Sequence, residues 1–221
     1  MISEKYKCIF IHIPKTAGTS IEYKLQSFGD LKTGAQDHRS IREIEPDTAS
    51  SVLHDLVMLD RDMLFNQLKN LVRHQRRASA KEFQEYFKFT FVRNPWARVY
   101  SWYQNVMRDE NHRKRHGVPD DCTFESFLED HANQWALQPQ LYWLTDRKGN
   151  IPLDFIGRFE SLAGDFAHVC EVLKLDDSDL PRMIASKSKH HYTDFYNEKT
   201  KKLVAKRYAE EIDYFGYHFD N

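Results

Sequence analysis

The sequence predicts an α/β fold in which a central, mostly parallel sheet lies between two layers of helices, with residues 1–221 forming one domain. Two observations predict this three-layer sandwich. Residues 7–13 form a near-continuous apolar run, which is typical of a strand buried on both faces of a parallel sheet, and residues 87–92 form a second strand-length run. Each run is followed by a loop and then by apolar residues at helical spacing. Strands that alternate with helices in this way are typical of three-layer α/β proteins.

The first strand–loop–helix unit is predicted at the start of the sequence. Proline and glycine interrupt the apolar run over residues 14–19, and a helical pattern follows. The apolar residues on one side of this predicted helix are Ile21, Leu25 and Phe28. Gly29 is a typical helix stop signal. In the second unit, aromatic residues alternate with polar ones over 87–92, and Pro95 suits the first turn of the next helix.

The remaining predicted elements are a mostly helical stretch at 60–86, a third strand at 154–159, and late helices at 161–173 and 198–212. Parallel sheets of this class bind their ligands beyond the carboxyl ends of the strands. The irregular loops at 14–20 and 93–95 are both expected at that edge, so they are the predicted site.

Composition excludes several classes of protein. The hydrophobic content of 41% and aromatic content of 14% are typical of a folded globule, and the formal net charge of −1 gives no overall attraction to nucleic acid. Basic clusters at 73–77, 108–116 and 187–191 are either local binding surfaces or solvated faces. No apolar run approaches the roughly 20 residues of a membrane span, and no signal peptide is visible.

The cysteines are too few and too scattered for a disulfide framework or a metal site: Cys8, Cys122 and Cys170. A reducing, cytoplasmic setting without a metal cofactor is therefore expected.

Residues 14–20, PKTAGTS, combine one lysine, three hydroxyl groups and a glycine just before a predicted helix. Unpaired N–H groups at a helix start favour an anion, and hydroxyls and a lysine add further donors. The pattern therefore predicts a phosphate-binding loop, with an ordinary strand–helix turn as the alternative. It is not a Walker A loop, because Lys15 precedes Gly18.

The loop that begins at Arg93 follows the same logic. Arg93 leaves the end of the predicted strand, where its guanidinium fork suits a phosphate. Ser101 lies about two helical turns further on, at roughly the same azimuth. Arg98 is expected either to bind an anion or, as the favoured interpretation, to form a salt bridge.

Residues 10–20, FIHIPKTAGTS, resemble the 5′-phosphosulfate loop of sulfotransferases that use 3′-phosphoadenosine 5′-phosphosulfate (PAPS), above all the carbohydrate sulfotransferases and their bacterial relatives. Residues 91–101, FVRNPWARVYS, resemble the 3′-phosphate motif of the same family. Further similarity lies at 155–160, 192–196 and 212–217. The resemblance spans nearly the whole chain and implies the P-loop-NTPase-like sulfotransferase fold, with PAPS as donor and no metal.

The resemblance also implies roles for single residues. Lys15 would contact the sulfuryl group and the bridging oxygen of the leaving phosphate. The residues implied to cradle the 5′-phosphate are Thr16, Ala17, Gly18, Thr19 and Ser20. Arg93 and Ser101 would hold the 3′-phosphate, and Lys189, in a loosely matching segment, would approach it.

Transfer to a sugar hydroxyl needs a general base whose pKa lies near the working pH, and histidine is the usual choice. Of the 11 histidines, His38 is the first choice, since related carbohydrate sulfotransferases place a histidine near the acceptor after the first helix. Asp37 is adjacent, although sequence neighbours need not face each other. The alternative for His38 is a surface position in a loop.

Other residues compete with His38. His12, at the end of the first strand, is a second candidate base, but a histidine there is more often a core residue. Glu22 lies near the loop and is expected to face solvent or to form a salt bridge. His190 and His191 could contact the acceptor.

The predicted acceptor is a carbohydrate or glycan. The aromatic residues that could stack on sugar rings are Trp135, Tyr142 and Trp143, although burial in the core is the favoured interpretation. The polar run at 108–116 could grip an acidic glycan or act as a lid. The alternatives are a lipid or small-metabolite acceptor, a nucleotide-binding protein without transferase activity, and a P-loop kinase or nucleotide hydrolase.

Overall fold

The computed structural model of the protein describes residues 1–25, 36–47, 76–181 and 191–220. Its strands are β1 (Ile2–Ser3), β2 (Cys8–Ile11), β3 (Phe87–Val92) and β4 (Phe155–Arg158). The helices before β4 are α1 (Gly18–Lys24), α2 (Ile41–Ile44), α3 (Ala80–Glu85), α4 (Pro95–Val106), α5 (Glu110–His116), α6 (Phe124–Ser126) and α7 (Gln140–Leu144). Those after β4 are α8 (Leu162–Leu173), α9 (Glu198–Arg207) and α10 (Ala209–Phe215).

Short helical turns at Phe127–His131, Trp135–Leu137, Phe159–Ser161 and Tyr192–Phe195 complete the described structure. None of the helices among the described residues is both long enough and apolar enough to span a membrane.

The sheet has the order β1-β2-β3-β4, and only the short edge strand β1 is antiparallel to its neighbour. β2, β3 and β4 are parallel, with Phe10 opposite Phe89 and Phe91 opposite Gly157. A Cβ at Gly157 would lie 2.5 Å from the Phe91 ring, so glycine lets that ring pack across the neighbouring strand. The predicted α/β class with a mostly parallel sheet is confirmed.

Alternate residues of β2 and β3 enter two separate cores, as the period of a strand requires. The core on one face of the sheet, which includes the α1 and α8 side chains, contains Cys8, Phe10, Ile21, Leu25, Phe89, Phe91, Phe166 and Val169. The core on the other face contains Ile9, Ile11, Val99, Trp143 and Tyr208, among others. Helices therefore cover both faces, and the loops after β2 and β3 come together at the carboxyl edge.

Several predicted elements differ in extent. The first strand is shorter than residues 7–13, and the predicted helix at 198–212 is two helices, α9 and α10. Tyr208 separates them with φ −113° and ψ 23°, and its buried hydroxyl donates to the Leu137 carbonyl across 2.7 Å. Phe28, Gly29 and residues 60–75 of the predicted helices lie outside the described residues.

Candidate active site

The loop between β2 and α1 has an unusual backbone. Lys15 and Ala17 have φ values of 72° and 69°, in the left-handed region that non-glycine residues seldom adopt, and Thr16 between them does not. Alternation of left- and right-handed residues turns successive N–H groups toward one concave surface, which suits an anion. Thr19 and Ser20 are half-buried at the start of α1.

Thr16 departs from the sequence interpretation. Its side chain is fully buried, and its hydroxyl donates to the carbonyl of Ile13 across 2.9 Å. The hydroxyl therefore ties the loop to the end of the strand, and Thr16 can offer a ligand its main-chain N–H only.

Gly18 has a steric role. A Cβ at this position would lie 1.9 Å from Cδ2 of His12, so only glycine allows the imidazole to rest against the start of α1. The His12 ring thus lies directly beneath the loop at 14–20.

Glu22 and His12 form a buried pair. Their side chains are 1% and 2% exposed, and Nδ1 of His12 lies 3.1 Å from Oε1 of Glu22. The same carboxylate oxygen accepts a hydrogen bond from the main-chain N–H of Asp37, also across 3.1 Å. Of the two expectations for Glu22, exposure to solvent is wrong and the salt bridge is found: Glu22 points inward from α1, and its partner is His12. His12 is a satisfied buried residue, as expected for the end of a core strand.

His38 rests on His12. Its Nδ1 lies 3.1 Å from the His12 carbonyl oxygen, and the two imidazole rings are 4.0 Å apart. Because a carbonyl only accepts, Nδ1 carries the proton and Nε2 keeps the lone pair of a neutral ring. The side-chain oxygen of Gln36 lies 2.8 Å from Nε2, where it accepts a hydrogen bond when the ring is protonated. Beside the neutral ring, the amide must turn its NH2 group toward Nε2 to cap it.

The surroundings of His38 favour its neutral form. Burial lowers the pKa of His38 well below its ordinary value, and His12 acts in the same direction, while the bond to the His12 carbonyl and the charge of Asp37 oppose the shift. Asp37 itself binds Arg39, with Nε–Oδ1 and Nη2–Oδ2 distances of 2.8 and 2.7 Å. Burial raises the pKa of Asp37, but the N-terminal amine and Arg39 outweigh it and hold that pKa far below its usual range.

The two loops predicted to bind phosphate form two corners of the candidate site, the first at residues 14–20 and the second from Arg93. These two corners are in contact. Arg93 Nη1 donates to the main-chain carbonyl of Lys15 across 3.2 Å, and the guanidinium lies 4.0 Å above the Phe159 ring. Gln140 holds the Arg93 backbone from both sides, accepting from its N–H and donating to its carbonyl, each across 2.8 Å. Among the described residues, the buried Nε of Arg93 has no hydrogen-bond partner.

Both cations at this corner are destabilised. Burial lowers the pKa of Lys15 to about 8, and the positive charges of Arg93 and Arg108 add to the shift. Burial also lowers the pKa of Arg93 to about 10, against the opposing charge of Glu160. Cations in such surroundings gain more than exposed ones from an arriving anion.

Arg98 has a different role from the one expected. It is fully buried in α4 and donates to the carbonyls of Pro14, Gln138 and Ala136 across 3.1, 3.0 and 2.6 Å. The favoured salt bridge is thus replaced by hydrogen bonds to main-chain oxygens, which fix the start of the loop at 14–20. Burial lowers the pKa of Arg98, and the charge of Glu211 opposes that shift.

The remaining predicted residues are placed less directly. Ser101 is half-buried on α4. Lys189 and His190 lie outside the described residues, and His191 is exposed and bonded to Thr193. No group of His, Cys, Asp and Glu within the described ranges could hold a metal ion.

The aromatic stretch divides between core and surface. Trp143 is fully buried, as favoured from the sequence. Trp135 is 42% exposed, which corrects the expectation of burial, and its ring lies 5.5 Å from that of His38 and 4.8 Å from that of Trp143.

Sequence reasoning missed the supports of Arg93. Gln140 is fully buried with no local signal, and only contacts between distant segments reveal it. Glu160 accepts from the N–H of Asn94 across 2.8 Å, which fixes the residue next to Arg93. The sequence indicated a role for Glu160 only through its position at the end of residues 155–160, a stretch that resembles the PAPS-dependent sulfotransferases.

The chain belongs to the sulfotransferase family, whose sequence model matches residues 1–218. It is similar to carbohydrate sulfotransferase 14 of Danio rerio, with 22% identity over 256 residues, covering 100% of this chain and 62% of that protein. The Mus musculus protein of the same name is 23% identical over 196 residues, covering 77% of this chain and 45% of its own length.

The chain thus spans between 45% and 62% of the length of these curated relatives. An uncharacterized protein of Archaeoglobus fulgidus is 32% identical over 102 residues, which cover 46% of this chain and 78% of that protein. No solved structure matches the chain.

Proposed function

We propose that this chain transfers a sulfuryl group from PAPS to a hydroxyl of a carbohydrate, in a P-loop-NTPase-like sulfotransferase fold that forms one domain. The observation that carries the proposal is the hydrogen bond between Arg93 Nη1 and the Lys15 carbonyl. It joins the two loops to which the 5′- and 3′-phosphates are assigned, and this contact supports the binding of both ends of one nucleotide there.

The donor end uses the residues of these corners. Lys15 and the main-chain N–H groups of residues 16–20 take the 5′-phosphosulfate, and Arg93 with Ser101 takes the 3′-phosphate. The buried Nε of Arg93, which has no partner in the described part of the chain, supports this assignment, because a buried donor without an acceptor is costly and a phosphate oxygen would satisfy it. The role of Lys189 stays a prediction, since that residue lies outside the described ranges.

His38 is the proposed general base at the acceptor end. Its neutral ring presents Nε2, and Gln36 caps this atom until the acceptor hydroxyl takes the place of the amide. Once His38 is protonated, the oxygen of the same amide can accept from Nε2, so Gln36 suits both protonation states.

Trp135 supports a carbohydrate acceptor. An exposed aromatic ring beside the proposed base offers an apolar face to a sugar ring while the hydroxyl reaches Nε2 of His38. The charge of Arg108 acts on Lys15, so the basic run at 108–116 begins near the transfer site, where it would favour an anionic acceptor.

The reaction is an in-line displacement. The acceptor oxygen forms a bond to sulfur while the bond from sulfur to the bridging phosphate oxygen breaks, and the electron pair leaves with 3′-phosphoadenosine 5′-phosphate (PAP). His38 takes the hydroxyl proton, and the Lys15 ammonium stabilises the charge that develops on the leaving oxygen.

Two measurements test the proposal. PAP should raise the melting temperature by mass action, and ATP with Mg²⁺ should do so much less. Radiolabelled PAPS should then transfer sulfate to members of a panel of desulfated polysaccharides, glycolipids and phenols. Transfer to glycolipids or phenols alone would replace the carbohydrate assignment. PAP binding without any transfer would indicate a non-catalytic nucleotide-binding protein, and Mg²⁺-dependent ATP turnover would indicate a kinase or hydrolase.

A further inference from the structure

The carboxylate of Glu22 is buried beneath the loop at 14–20, called the donor loop because it is assigned to PAPS. None of the proposed reaction steps uses this carboxylate. Its side chain is 1% exposed, next to a His12 side chain that is 2% exposed. Burial of a carboxylate is costly unless hydrogen bonds compensate it. The bonds that Glu22 makes therefore indicate what its burial achieves.

Two hydrogen bonds of Glu22 lead to His38. Oε1 accepts from Nδ1 of His12, whose own carbonyl accepts from Nδ1 of His38, with each distance 3.1 Å. Oε1 also accepts from the N–H of Asp37, the residue before His38 in the chain, again across 3.1 Å. One carboxylate oxygen thus fixes both the surface beneath the His38 ring and the backbone that carries it.

His12 also connects His38 to the donor loop. One side of its imidazole lies 4.0 Å from the His38 ring centroid to centroid, and its edge occupies the space that a Cβ of Gly18 would need. A rotation of the His12 ring would therefore disturb both the proposed base and the loop assigned to the 5′-phosphosulfate. The bond to Glu22 opposes that rotation.

The geometry points to Glu22 and His12 as a buried positioning pair. The pair holds the His38 ring in a fixed position relative to the donor loop and favours the protonated form of His38 during transfer. This inference rests on the proposed function, in which His38 is the base. The pair contributes charge as well as position. When His38 takes the proton of the acceptor hydroxyl, the nearby Glu22 carboxylate stabilises the imidazolium through His12. A neutral side chain of the same shape would hold the ring but not stabilise its charge.

Several other charged or titratable groups act on His38, and none of them is substituted in the test. These are His12 beneath the ring, Asp37 with its partner Arg39, and the N-terminal amine near Asp37. Trp135, on the remaining side, is not titratable. A change at Glu22 alone therefore isolates the carboxylate.

The decisive variant is Glu22→Gln, which keeps the shape and removes the charge. We expect its kcat to fall about 10- to 100-fold, less than the loss expected for removal of a general base, with the KM for PAPS and the PAP-induced melting shift unchanged. The acid limb of kcat against pH should move to lower pH, because His38 loses a charge that favours its protonated form. The imidazole signals of His38 in an NMR titration should move in the same direction without any acceptor present.

A double-mutant cycle separates positioning from general support. If Glu22 acts through His38, then Glu22→Gln should lower the residual activity of His38→Ala by less than about twofold. Glu43→Gln is the matched control, since Glu43 is a buried carboxylate that caps α2. It should cost stability without moving the acid limb. If Glu22→Gln does not fold, His12→Asn takes its place in the same measurements of kcat and PAP binding. Its amide can still donate to Glu22, while the ring beneath His38 is lost.

The inference is overturned if Glu22→Gln keeps the wild-type kcat and acid limb, or if it lowers PAP binding in step with kcat. A wild-type protein that neither binds PAP nor transfers sulfate would instead contradict the proposed function. The NMR titration of His38 in Glu22→Gln would still report on the pair in that case.

Discussion

Arg93 and Lys15, which are 78 residues apart in the sequence, are joined by a hydrogen bond of 3.2 Å from the Arg93 guanidinium to the Lys15 carbonyl. The bond closes the gap between the ends of two parallel strands. It leaves the Lys15 side chain beside a second cation in a buried corner, where an anionic ligand relieves the repulsion between them.

The lowered pKa of Lys15 predicts a pH dependence of nucleotide binding. Free Lys15 loses its proton near pH 8, and the bound phosphates should raise its pKa, so PAP binding takes up a proton at higher pH. The Kd for PAP should therefore rise above pH 8 by up to about tenfold per pH unit. Titration calorimetry of the wild-type protein and Lys15→Arg measures this.

Lys15→Arg is the matched control because arginine stays charged throughout that range. Its Kd should rise much less above pH 8, whereas equal slopes for both proteins would exclude Lys15 as the titrating contact. Lys15→Ala should lose sulfate transfer and stay folded.

His38→Ala should lower kcat by about 10²- to 10⁴-fold, the usual worth of a general base, and leave PAP binding intact. Near-wild-type turnover would exclude His38 as the base. Since the pKa of His38 lies well below the ordinary value of about 6.5, the wild-type acid limb should appear below that pH. A limb at or above it would contradict the buried, neutral ring.

Arg93→Ala should discriminate between nucleotides. Loss of a charge-assisted hydrogen bond to the 3′-phosphate costs about 1.5–3 kcal/mol, or about 10- to 150-fold in the Kd for PAP. AMP lacks that phosphate, so its Kd should change little. Equal losses for PAP and AMP would show that Arg93 supports the loop of Lys15 and not the 3′-phosphate.

Gly18→Ala should destabilise the protein, because the new methyl group would overlap the His12 ring. Overpacking of this kind costs about 1–3 kcal/mol. At about 2–4 °C per kcal/mol for a chain of this size, thermal unfolding should show a clear fall in melting temperature. In a His12→Ala background the Gly18→Ala change should cost little further stability, because the ring that the methyl group would overlap is gone. An unaltered melting temperature in the single variant Gly18→Ala would show that the two residues do not touch.

Trp135→Ala should raise the KM for a carbohydrate acceptor by up to about tenfold, the upper end of what an aromatic contact contributes. The KM for PAPS should be unchanged, and Trp135→Phe should retain part of the effect. An unaltered acceptor KM in Trp135→Ala would remove this residue from the acceptor site.

Local patterns were sufficient for the main architecture. A near-continuous apolar run gave β2, and the alternation of aromatic with polar residues gave β3, each within a few residues. The phosphate-binding interpretation of residues 14–20 also needed only local chemistry. The break at Tyr208 was missed because the tether of its hydroxyl to Leu137 joins distant segments, which no periodicity records.

The sequence by itself determined the class of fold, the positions of its main strands along the chain, the two basic loops and the family that they resemble, because each depends on residues close together in the chain. Only the tertiary structure decided which side chains meet. In the folded chain Glu22 points inward to His12, Arg98 donates hydrogen bonds to main-chain carbonyls, and Trp135 is exposed beside His38. Partners of buried polar groups depend on the packing of distant segments, and hydrogen bonds form wherever that packing brings donor and acceptor together.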